Sequence, residues 1–128
     1  MVTISPQQEL FTAVKKVVSG LGYTVYDYLP MDDVPYPFVF LGEDLSTDIP
    51  NKTAIHGSYN LTLHIYNDQK KRGTTSTMMM NIKQALRELK HTQGFYISVN
   101  NINDQIIQDT TTNIPLSHGI IDVEFYFN

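Results

Sequence analysis

The chain has no cysteine and no tryptophan among its 128 residues. Without cysteine there is no disulfide framework, thiolate zinc site, iron–sulfur cluster or cysteine nucleophile. Charge is sparse as well: Asp, Glu, Lys and Arg make up 17%, and nine Lys+Arg against thirteen Asp+Glu leave a formal charge of -4. That mild acidity argues against a dedicated nucleic-acid binder, which needs net basic character. Long hydrophobic runs are missing. The longest, Phe38-Val-Phe-Leu41, is far short of a membrane span. The opening residues Met1–Pro6 lack the basic and apolar regions of a signal peptide, so the expectation is a soluble chain made in a cytosol, with no membrane contact. The sequons at Asn51-Lys-Thr53 and Asn60-Leu-Thr62 then read as chance matches.

Catalytic signatures are equally scarce. There is no Gly-x-Ser-x-Gly elbow, and Arg72-Gly-Thr-Thr75 has neither the lysine nor the spacing of a phosphate loop. His56, His64, His91 and His118 show no ligand spacing, and no acidic run has a calcium-loop pattern. Asp32-Asp33 sits between prolines as a turn. No cofactor or metal is expected.

What is present is a 41% apolar composition, too rich for disorder, on a length that suits one domain over 1–128. Ser5 reads as an N-cap, with Pro6 at the first helical position and Gln8 completing a capping box. Leu10, Val14, Val17, Val18 and Leu21 form the buried stripe of that helix, and Gly20 and Gly22 stop it. A strand is expected over Tyr23–Tyr28, then a Pro-containing connector, Leu29–Pro35. A second strand spans about Tyr36 to Leu41, with an extension toward Leu45, and a third about Ser58 to Tyr66, where Tyr59, Leu61, Leu63 and Ile65 alternate with polar residues. The stretch Glu43–Gly57 between them reads as a long loop, a type that commonly carries function.

A basic turn, Lys70, Lys71, Arg72 and Gly73, precedes a second helix capped within Thr74–Thr77, with Met78, Ile82, Ala85, Leu86 and Leu89 on its buried face. At least one of Met78, Met79 and Met80 must face outward. Strand four begins at Phe95 and bends or bulges at Asn100–Asn103. Strand five, Gly119–Phe127, places Ile121, Val123, Phe125 and Phe127 on one face and Asp122 and Glu124 on the other, after a turn at Thr110–Asn113. The order αβββαββ predicts an α+β fold, a mainly antiparallel sheet with two helices packed on one face. Phe38 to Leu41 are apolar on both sides, so either a neighbouring subunit covers the second face, with Phe38 and Phe40 at the interface, or the long loop folds back over it.

Pro35-Tyr-Pro-Phe-Val-Phe-Leu-Gly42, followed by an acidic, Thr-containing stretch, Tyr59-Asn-Leu-Thr-Leu-His-Ile-Tyr66, a helix ending Ala85-Leu-Arg-Glu-Leu89 and Ile121-Asp-Val-Glu-Phe-Tyr-Phe127 carry a resemblance. The arrangement resembles the tail terminator, or tail completion, proteins of long-tailed bacteriophages, also described as head–tail joining proteins. The resemblance implies a non-enzymatic virion protein: a homo-oligomeric ring, a hexamer, on the head-proximal end of the tail. It would stop growth of the tail tube protein and dock to the head connector, with DNA only passing through the lumen. Under it, Glu43, Asp44, Asp48, Asn51, Lys52 and His56 become a partner-contact loop. Lys70, Lys71 and Arg72 would face an acidic partner surface, and Asp122 and Glu124 would be candidates for an acidic lumen wall. Another neck protein, a small enzyme with a diffuse carboxylate or histidine site, and a dimeric ligand-binding α+β module stay open as alternatives. An enzyme would show a deep pocket with perturbed ionisable groups; a ring subunit would show flat patches.

Overall fold

A computed structural model describes residues 5–31, 33–49, 56–112 and 114–128. Asp32, Asn51, Lys52 and Asn113 lie outside them. Ser5 caps α1 (Pro6–Gly20), its hydroxyl accepting from the Gln8 amide at 3.1 Å. The Gln8 side chain donates instead to the Thr12 hydroxyl, so only half of the expected capping box forms. Leu10, Val14 and Val18 are the fully buried residues of the helix.

The strands are β1 (Val25–Tyr26), β2 (Phe38–Ile49), β3 (His56–Asp68), β4 (Ile97–Asp109) and β5 (Leu116–Phe127), with α2 (Arg72–Glu88) between β3 and β4. They form one sheet in the order β1-β2-β3-β5-β4. All neighbours are antiparallel except β1 and β2. The α+β architecture and the element order expected from the sequence are therefore present. The core lies between helices and sheet: Val39 and Leu41, alternate residues of β3 from Tyr59 to Ile65, and alternate residues of β5 from Ile121 to Phe127 meet Leu10, Val14 and Val18 of α1 and Met78, Met79, Ile82 and Leu86 of α2. Met80 is the outward methionine. Lys83 of α2 reaches Asp104 of β4 at 3.1 Å.

Three expectations change. The loop expected over Glu43–Gly57 is mostly strand: β2 continues to Ile49, and Asp44–Ile49 pair residue for residue with Leu61–His56. The polar composition of that stretch suggests a loop, but its backbone groups are satisfied by the ladder, and one sheet face there is free to carry polar side chains. A bulge between Leu41 and Asp44 sets Gly42 and Glu43 opposite Thr62.

Second, α2 begins at Arg72 rather than after the threonines. Asp68 caps a 3-10 turn, Gln69–Lys71, that runs straight into it. Thr75 and Thr77 do not cap; their hydroxyls donate back to the Lys71 and Gly73 carbonyls. Third, the first strand shrinks to Val25–Tyr26. The bulge expected near Asn100 is present, between Val99 and Asn101.

Candidate functional surface

With both helices on one side, the second sheet face is open, and the even-numbered residues of β3 and β5 point to it. At one end it carries a run of stacked rings. Tyr36 stacks on Phe38 (centroids 5.7 Å), Phe38 on Tyr66 (5.3 Å), Tyr66 on His118 (4.4 Å), and Phe40 on His64 (5.7 Å); Tyr26 meets Phe38 edge-on. Phe38 is only 6% exposed, so rings of its own chain cover most of a residue for which the sequence predicts a covering neighbour. Phe40 remains half-buried.

Within the stack, His64 Nδ1 and His118 Nε2 lie 2.8 Å apart. Glu43 stands 3.9 Å from the other nitrogen of His64, and Asp109 3.9 Å from the other nitrogen of His118. Burial, opposed by Glu43 and Asp122, holds His64 below its ordinary pKa; burial and the charge of His64, opposed by Asp109, do the same for His118. Burial, with Asp109 and Glu43, pushes the Tyr66 hydroxyl up.

The other end of the open face is polar. Asp122 accepts from the Thr62 hydroxyl at 2.6 Å, and Glu124 accepts from the Asn100 side chain. Asp122 is exposed and Glu124 half-buried, on the face the alternation assigns them. No lysine or arginine occurs in any of the strands.

The sequence-derived contact loop does not stay together. Glu43 reaches the histidine pair on the open face, whereas Asp44 turns to the helix side, where it accepts from the Tyr59 hydroxyl at 2.7 Å and from the Gln7 side chain at 2.9 Å. Asp48 is exposed near the end of β2, and His56, half-buried, opens β3. Lys70 and Lys71 are exposed on the 3-10 turn and Arg72 on the first turn of α2, so the basic cluster is on the surface. The histidine cluster was invisible to spacing along the chain. The available signal was the period of two in β3 and β5, which puts His64, Tyr66 and His118 on one face once those strands pair.

Tyr59 is fully buried, and burial together with Asp44 drives its hydroxyl far above the usual range. Its bond to Asp44 ties β3 to β2, and Gln7 ties the same carboxylate to α1. Tyr59→Phe is expected to cost about 1.5–3 kcal/mol, the worth of a hydrogen bond to a charged group. Equilibrium unfolding in urea measures it; a loss below about 0.5 kcal/mol, the surface-substitution range, would show that the bond adds nothing.

A groove of about 750 Å³ lies between α1 and residues 89–93, away from the perturbed His64, His118 and Tyr59. Among the described residues no three His, Asp or Glu are placed to hold a metal ion. No helix there is long and apolar enough to cross a membrane.

The helices cover one face of the sheet, and the other is open, with no lysine or arginine in its strands. The family described as tail completion protein gp17 matches residues 8–128, and the chain belongs to that family of virion structural proteins. No curated protein matches the chain. Solved structures share the fold, two of them over nearly the whole chain. One is the gp17 protein of bacteriophage SPP1, 24% identical, with TM-score 0.62, covering 95% of this chain and 91% of that one. The other is a chain from the virion of a native gene transfer agent particle, 15% identical, with TM-score 0.64, covering 96% and 92%.

Proposed function

We propose that this tail completion protein closes the head-proximal end of the phage tail as a homo-oligomeric ring, a hexamer. It stops addition of tail tube protein there and presents the docking surface for the head connector. It works without catalysis. It assembles in the host cytoplasm and stays in the virion. Membership of the tail completion family carries the reading. The open sheet face supports its inner geometry: Asp122 and Glu124 stand on a surface whose strands hold no lysine or arginine. A lumen wall of that kind repels DNA phosphates and lets the genome pass without sticking, because phosphate affinity grows with cationic contacts. Head-to-tail contacts close into a ring when the rotation per subunit divides a full turn. Phe40 at the half-buried margin, and the exposed Asp48 and Lys70–Arg72, are the contacts we assign to neighbours and partners.

The test is electron microscopy of lysates from a producing phage lacking this gene. Overlong or irregular tubes beside DNA-filled, tailless heads are expected. Normal-length tails that fail to join would move the protein to the connector side of the neck, and normal infectious particles would remove the reading. In an otherwise intact phage, Asp122→Lys with Glu124→Lys is expected to slow DNA ejection; an unchanged rate would take those residues off the lumen wall.

A further inference from the structure

The open face holds one titratable cluster that tail closure does not use. Glu43, His64, His118 and Asp109 come from β2, β3, β5 and β4, which are successive in the sheet, and they form a continuous chain of contacts: 3.9, 2.8 and 3.9 Å. The imidazoles are poorly solvated, with 16% and 11% of their side-chain surfaces exposed, and Phe40 and Tyr66 stack on them. The charged groups facing the pair are Glu43 from β2, Asp122 from β5 and Asp109 from β4; Tyr66 of β3 is the neutral titratable neighbour. The helices pack on the other side of the sheet.

Proton counting gives the behaviour. Each neutral imidazole carries one N–H. Two N–H groups cannot serve three contacts, so in the neutral pair either one carboxylate faces a nitrogen lone pair or the two rings turn lone pairs on each other. One added proton repairs this: an N–H then points at Glu43, one at Asp109, and one bridges the rings. A second added proton sets two N–H groups against each other across 2.8 Å. Burial opposes each added charge, and the flanking carboxylates favour the first.

We propose that His64 and His118 form a two-step acid latch on the open face. The first proton is shared and gives each of the three contacts one N–H; the cost of burying its charge exceeds that gain, so it is bound less readily than by an unfolded histidine. The second drives the imidazoles apart, toward Glu43 and Asp109, and opens the ring stack beside Phe40. If Phe40 meets a neighbouring subunit, as proposed above, that contact inherits the acid dependence, but the latch itself is a property of the isolated chain.

Nitrogen-15 NMR of the histidine side chains of the full chain, from about pH 8 to about pH 4.5, tests it over the span where imidazoles titrate. Two steps separated by about one pH unit or more are expected, as for any strongly interacting pair. Phe40 and Tyr66 ring resonances should hold through the first and shift with the second. His118→Phe keeps the stack but removes the partner, so His64 should titrate in one step and the late ring shift should vanish. Asp109→Asn should move the first step to lower pH. A single common step in the unmodified chain, or ring resonances indifferent to the second proton, would overturn the latch. The unmodified chain decides this alone if His118→Phe does not fold.

Discussion

Phe125→Ala is expected to lower the unfolding free energy by about 3–5 kcal/mol, the usual loss for a buried phenylalanine. The ring is fully buried in β5, the strand that pairs with both β3 and β4, and its residue lies opposite Tyr59 on one side and Val99 on the other. Truncation removes the transfer energy of the ring and leaves a cavity that two ladders hold open, because relaxing it would require moving both neighbouring strands. Against the roughly 5–15 kcal/mol that stabilises a typical domain, this is a large share. The midpoint of guanidinium unfolding should fall with little change in slope. The control is one residue away. Tyr126 is 49% exposed on the opposite face, and Tyr126→Ala should stay within about 1 kcal/mol, the scale of a cross-strand pair. Equal losses at the two positions would mean that β5 does not present the faces its alternation assigns.

That contrast marks what was legible in the sequence. The stripe of α1 and the alternations in β3 and β5 are periods of 3.6 and 2 within a few residues, and they fix element type and buried face without knowledge of the rest of the chain. Long-range pairing is not legible in this way. Glu43-Asp-Leu-Ser-Thr-Asp48 has the composition of a loop and becomes strand because the far half of β3 offers it partners. The threonines ahead of Met78 have the composition of caps, but Asp68 starts the turn earlier and leaves them bonding backward. The same limit governs the surface. Asp122 and Glu124 were readable because one strand places both. His64 and His118 are separated by 54 positions and become neighbours only through the β3–β5 register. Asp44 adjoins Glu43, but in a strand the two point to opposite faces, and the bulge in β2 decides that Asp44 takes the helix side and Glu43 the open face.

The histidine pair also sets an expected result for the whole molecule: stability should fall as pH drops below about 6.5, the ordinary pKa of an unfolded histidine. His64 and His118 are both held below that value, burial being the largest cause. In this range the unfolded chain therefore binds more protons than the folded one, and stability rises with pH wherever that holds. The contribution is complete above about 6.5, is lost as pH falls toward the lowered folded-state values, and levels off below them. Asp109 works in a separate, more acidic window. The bonds from Thr111 hold its carboxyl below the ordinary 3.8, so its contribution is present above that value and disappears only beneath it. Guanidinium midpoints at about pH 7.5, 6 and 5 bracket the histidine window alone. A decline across these three points is the expected outcome, and His118→Phe should flatten it by removing one of the two groups that take up protons on unfolding. A midpoint that holds constant to about pH 5 would mean that the imidazoles bind protons equally well in both states, and would overturn the view that burial in the aromatic stack disfavours their charge.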